Sequence, residues 1–245
     1  ASSNNPGLIP NPTVVYTSPQ TTGSLTYTPV ANANGSALIT VTVRDAGLDL
    51  VAGNADDLTF IRTFTVNVTP VNDRPTFTAV NPPAVNEDSG LATVNGFASG
   101  FVAGPADEST QTILSYNVSN VTNASLFAIA PSVATNGTLT YTPALNANGT
   151  ATFDLTVTDS GGAANGGLAT SLVQTFTITV NSVNDRPTFT AVNPPAVNED
   201  SGPATVSSFA SGFVAGPADE STQTILSYNV SNVTNASLFA VAPSV

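Results

Sequence analysis

The sequence predicts an all-β chain, a tandem of antiparallel two-sheet sandwiches with Greek-key connections and about seven strands to each sandwich. Three observations carry this. Short segments rich in Thr, Val, Phe and Tyr alternate apolar and polar residues with a period of two. Asn-Gly pairs, which favour tight turns, separate several of those segments. A long stretch beginning VNDRPTFTAVNPPAVNEDSG at Val71 recurs 112 residues later at Val183, and a period of that size suits one domain.

Taken in order, the strands expected in the complete repeat are 76–80, 91–97, 111–118, 126–130, 137–142, 150–158 and 173–180. The first four rest on TFTAV, LATVNGF, the run ending ILSYNV, where Leu114, Tyr116 and Val118 are expected to point inward, and LFAIA. LTYTP follows the turn at Asn136-Gly137 and puts Leu139 and Tyr141 on one face. After Asn148-Gly149, TATFDLTVTD places Ala151, Phe153, Leu155 and Val157 on one face and Thr152, Asp154, Thr156 and Thr158 on the other. QTFTITV closes the repeat with Phe176, Ile178 and Val180 inward. No stretch has a convincing helical period.

Val71–Val133 and Val183–Val245 differ at only four positions, Leu91/Pro203, Asn95/Ser207, Gly96/Ser208 and Ile129/Val241. In the other direction, GSLTYTPVANANGSALITVTVRDAG from Gly23 resembles GTLTYTPALNANGTATFDLTVTDSG from Gly137. The expected organisation is therefore the back part of one module over 1–70, a complete module over 71–182 and the front part of a third over 183–245. Ends that fall inside modules read as a window on a longer array. They also allow a subunit whose front half pairs with the back half of the next subunit, building a filament by strand complementation.

Composition closes many routes to chemistry. The chain has four Arg and no Lys, 16 Asp and Glu, no His, Cys, Met or Trp, and a net charge of −12. Disulfides, thiolate or imidazole metal sites, catalytic triads and a catalytic Lys are excluded, and so are Lys-Asn isopeptide crosslinks. The acidic balance argues against nucleic acid as a partner, and no apolar run is long enough to insert into a membrane. Adjacent acids such as Asp107-Glu108 lack the aromatic cleft a glycosidase needs, so the chain is read as not an enzyme. Thr-x-Thr runs are ordinary on half-exposed strands. The Asn-x-Ser/Thr sequons mark exposed turns.

Taken together, VNDRP at both junctions, VNEDSG, GPADES, LTYTPALNANGTATFDLTVTD and the closing TFTITV resemble the tandem cadherin-like, Ig-like repeats of very large bacterial surface and secreted proteins. The resemblance spans essentially the whole chain. It implies β-sandwich modules strung in an extracellular or cell-surface array, serving as adhesin stalk or matrix, often with Ca2+ at the junctions. Carried over to this sequence, an early Glu of one module joins the Asn-Asp pair at its far end, so Glu87 would meet Asn184 and Asp185. Asn72, Asp73, Asp88, Glu199 and Asp200 are the other candidate ligands. The leading acid of the cadherin junction is replaced here by Pro70 and Ser182, which leaves fewer carboxylates.

Two other accounts stay open at this stage. Arg74 and Arg186 could pair with Glu87/Asp88 or Glu199/Asp200 in place of a metal, and Asp73 and Asp185 could simply accept turn hydrogen bonds. The function expected is structural, that of spacing and stiffening, with neighbouring copies of the same module as partners, either in a covalent array or in a homopolymeric fibre. A carbohydrate- or receptor-binding module is the alternative, with any distal receptor or glycan site outside this chain.

Overall fold

The computed structural model describes residues 1–245 and contains sixteen strands, five single-turn 3-10 segments and no α-helix. In the first part of the chain, β1 (Ser2–Ser3), β4 (Gly35–Arg44) and β5 (Thr59–Val68) form one antiparallel sheet, and β2 (Thr13–Val15) pairs with β3 (Ser24–Thr26). The middle part contains β6 (Thr76–Ala79), β7 (Val85–Asn86), β8 (Ala92–Val94), β9 (Ala98–Val102) and β10 (Ile113–Ser119). It continues with β11 (Phe127–Val133), β12 (Leu139–Pro143), β13 (Gly149–Asp159) and β14 (Gln174–Asn181). Only β15 (Thr188–Ala191) and β16 (Ala210–Val214) form in the last part.

The middle module closes as a sandwich. One sheet runs β10-β13-β14-β7, with β7 parallel to β14 and the other pairs antiparallel. Strands β11-β12-β8 and the pair β6-β9 cover it. Sixteen buried residues fill the space between, Phe77, Phe97, Tyr116, Leu139, Tyr141, Phe153, Leu155, Val157, Phe176 and Ile178 among them. The inward faces expected of β12, β13 and β14 are the observed ones. Edge-to-face aromatic pairs, Phe97 with Phe176 at 5.1 Å and Phe127 with Tyr141 at 5.8 Å, lock the centre.

Two expectations need correcting. The complete module has nine strands rather than about seven, because the 91–97 segment breaks after Val94, the chain resumes as β9 on Ala98-Ser99-Gly100-Phe101-Val102, and Val85–Asn86 adds a two-residue edge. Small residues hid β9 from a propensity reading. Leu114 faces solvent, since a bulge between Ile113 and Ser115 breaks the alternation and turns Ile113 toward the core instead. Ile129, for which no facing was expected, is exposed beside a second bulge.

The other two parts are incomplete sandwiches. In the first, Leu8, Ile9, Ala37 and Ile39 form a four-residue core beneath β4. In the last, segments 225–231 and 239–245, whose counterparts in the middle module are β10 and β11, have no strand partner.

Candidate module junction

The linker between modules, residues 182–187, joins no strand, so its amide hydrogens need acceptors from outside it. Two glutamates supply them, one from each side. Glu87 Oε1 accepts from Val183 N at 2.7 Å, and Glu220 Oε1 accepts from Asp185 N at 2.7 Å. Both glutamates are buried, at 2% and 5% exposure. Glu87 reaches the linker because its own backbone continues the β7–β14 pairing, with Glu87 N donating to Asn181 O. Glu220 sits on the 3-10 turn Ala218–Glu220, where the absence of a side chain on Gly216 makes room for its carboxylate. The junction at 70–75 repeats half of this device, with Glu108 Oε1 accepting from Asp73 N at 2.7 Å and Gly104 opening the same space.

A second contact crosses both junctions. Asn148 Nδ2 donates to Asp219 Oδ2 of the next module at 2.9 Å, and to Glu87 Oε2 at 3.3 Å. At the earlier junction Asn34, the counterpart of Asn148 in the NANG turn, donates to Asp107 at 3.1 Å. Asp88 Oδ1 accepts from Asn146 N, which ties that acid to the same turn.

Asp185 stands at the centre of this cluster. Its Oδ2 and the Oε2 of Glu220 are buried without a hydrogen-bond partner. Partial burial pushes the Asp185 carboxyl above the usual carboxylate range, and the charges of Glu220, Asp88, Glu87 and Asp219 push it further. No arginine relieves this. Arg74 donates to the carbonyl of Thr170, and the chain's one ion pair joins Arg44 to Asp57 at 2.8 Å. The expectation that Arg74 and Arg186 pair with Glu87/Asp88 or Glu199/Asp200 in place of a metal therefore fails, because neither guanidinium lies within ion-pair distance of a carboxylate.

Of the residues the sequence singled out, the structure gathers Glu87, Asp88 and Asp185 at one junction. Asn184 turns away from Glu87 into the next module, where Gln223 Nε2 donates to it at 2.9 Å. Asn72 does the same in the complete module. It is buried, donates to both oxygens of Asp159 and accepts from Gln111 Nε2 at 2.7 Å, while Gly161 leaves room beside it. The Asn of the VND motif is thus a peg holding the linker in the module that follows. Asp73 lies at a junction with no Glu87 counterpart, and Glu199 and Asp200 are not among the acids that act on Asp185. The reading missed Glu108, Glu220, Asp219, Asn148 and Asp159. The exact recurrence of GPADES in both copies was the available signal for the first three.

Residues 71–179 match the family model of the cadherin-like domain. Over those residues the middle module is similar to a cadherin-like domain. That match coincides with the nine-stranded sandwich, and such domains are structural and adhesive folds of extracellular or surface proteins. No curated protein matches the chain. No helix is long and apolar enough to cross a membrane.

Cadherin-like junctions commonly hold calcium, and the donor set here is of the right chemistry: hard carboxylate oxygens, two of them buried without partners. As the chain stands, no three acids converge closely enough to enclose an ion. Binding would draw Asp185 and its neighbours together, and the mutual repulsion that raises the Asp185 carboxyl is the interaction a divalent cation would reverse.

Proposed function

We propose that the chain is a structural segment of an extracellular or cell-surface array, in which end-to-end sandwiches space and stiffen, and in which calcium clamps the junction between modules. The observation that carries this is the linker held from both sides, Val183 by Glu87 of one module and Asp185 by Glu220 of the next, within a cluster of five carboxylates. Glu87, Asp88, Asp185, Asp219 and Glu220 would hold the ion. It would neutralise like charge that otherwise pushes the two module ends apart. Asn148 and the two buried glutamates fix the relative orientation of the modules in either state.

The test is small-angle scattering and thermal melting of the chain in calcium and in chelator. Calcium is expected to lengthen and narrow the distribution of end-to-end distances and to raise the melting temperature. Identical curves in the two conditions would remove calcium from the junction.

A further inference from the structure

Five Asn-Gly pairs occur in the chain, beginning at Asn34, Asn95, Asn136, Asn148 and Asn165. Such a pair carries its own chemistry. The main-chain nitrogen of the glycine can attack the asparagine Cγ because no side chain on the glycine stands in the way, which is one source of the thermal lability of asparagine. Attack requires a glycine N–H free of other bonds and an asparagine side chain able to turn toward it. The fold therefore decides which pairs react.

Four of the five are held. Asn34 donates its side-chain amide to Asp107 Oδ2 at 3.1 Å, Asn148 to Asp219 Oδ2 at 2.9 Å, and Asn165 to Pro70 O at 3.1 Å. Gly35 and Gly149 moreover open β4 and β13, opposite Val68 and Val180. At Asn136 the side-chain oxygen accepts from Thr138 N, while Gly137 is buried and donates its own N–H to Ala134 O at 2.8 Å. Asn95-Gly96 is the exception. Both residues are exposed in the turn between β8 and β9, and neither the side-chain amide of Asn95 nor the N–H of Gly96 donates to any group of the protein. The side chain's one tie is a long hydrogen bond, from Thr138 Oγ1 to Asn95 Oδ1 at 3.4 Å.

The third module offers a natural contrast. Of the four positions at which it differs from the middle one, two are this pair, which becomes Ser207-Ser208. Ser208 keeps a positive φ of 57°, against 65° for Gly96, so the turn is retained in a conformation that serine rarely adopts while the reactive pair is gone.

We propose that Asn95 is a self-modification site, converting to aspartate and isoaspartate through a cyclic imide formed with Gly96. Gly96 N gives its proton to solvent base and bonds to Asn95 Cγ. The Cγ–Nδ2 bond then breaks, and the nitrogen leaves as ammonia after taking a proton from water. A water molecule opens the imide, at Cγ to give aspartate or at the main-chain carbonyl of residue 95 to give isoaspartate, so that water is consumed, ammonia is released and nothing is oxidised. In the isoaspartate product the main chain runs through Cβ and Cγ. That lengthens the turn joining Val94, which pairs with Leu139, to Phe97, which is 4% exposed and packs on Phe153 and Phe176. Ageing at this one turn loosens the closed core.

The full chain, kept folded in mildly alkaline buffer, is sampled over time by peptide mapping, with isoaspartate read by an isoaspartyl carboxyl methyltransferase. The peptide containing Asn95 is expected to show the amide-to-acid mass change several-fold sooner than those of the other four pairs, and the difference to collapse in denaturant, where all five pairs are free. Asn95→Gln, which leaves Gly96 in place, and Asn95→Ser combined with Gly96→Ser, the third module's own residues, are each expected to lose the early product and to keep the melting temperature that the unmodified chain loses on ageing. Equal rates at the five pairs in the folded chain, an earlier reaction at another pair, or an aged chain that melts as the fresh one does would overturn the proposal.

Discussion

Residues 71–133 and 183–245 are the same sequence at all but four positions, yet only the first copy builds β7, β8, β10 and β11. Neither propensity nor local turns account for this, since both copies have them. The difference is the presence of β12, β13 and β14, which supply the pairing edge and the other half of the core. Strands of three to seven residues with alternating Thr and apolar residues gain too little from local pairing to form alone. By contrast β6 and β9 pair within the front half, and so do their counterparts β15 and β16. Comparison of the copies thus separates strands set by short-range contacts from strands set by closure of the sandwich.

The largest expected effects lie in the closed core. Phe176→Ala is expected to destabilise the middle module by about 3–5 kcal/mol, whereas Phe64→Ala at the matching position of the open half is expected to cost under about 1 kcal/mol. Denaturant unfolding of each variant checks this, and equal losses would mean that the open half is as well packed as the closed one. Next comes the polar peg. Asp159→Ala strands the Asn72 amide and the Gly161 amide hydrogen in a buried site and is expected to cost about 1–3 kcal/mol. Asp45→Ala, at the corresponding turn with no peg above it, is expected to have a smaller effect.

The two junctions should differ in their response to calcium. Asp185→Asn is expected to raise several-fold the calcium concentration at which melting temperature responds, and Asp73→Asn to leave it unchanged, because only the later junction has Glu87 and Asp88 facing the linker. Calorimetric titration distinguishes the two, and equal shifts would place the ion elsewhere.

The smallest effects are those of pH, and the two acids concerned have opposite signs. Hydrogen bonds from Asn120 and Thr175 hold the Asp154 carboxyl below its ordinary value, so the stability it contributes is present above the unfolded-state pKa and lost as pH falls through the folded one. Asp185 is raised, so in chelator the junction is strained by its charge at neutral pH and relaxes as the pH falls through that raised value. Melting curves and scattering across the acidic range are expected to flatten in Asp154→Asn and Asp185→Asn respectively.

Much of the candidate site was legible as residues but not as geometry. Glu87, Asp88 and Asp185 were found from motifs flanking the linker. The partners of Asn72 and Asn184 were not, since Asp159 lies 87 residues from Asn72 and is brought to it by the length of β13. Asn148 read as a turn residue, and its turn is also what presents it to Asp219. Nothing in the sequence ties Glu108 and Glu220 to the linker, against which the one-turn 3-10 segments bury them.

The sequence by itself determined the all-β class, the module length, the inward faces of β12, β13 and β14, and the absence of most catalytic side chains, because periodicity, repetition and composition are properties of the chain alone. The tertiary structure decided which copies of a strand exist, which way Leu114 and Asn184 point, and which carboxylates meet at the junction. Those outcomes depend on closing a core and desolvating polar groups against partners far away in sequence, and identical segments meet different partners.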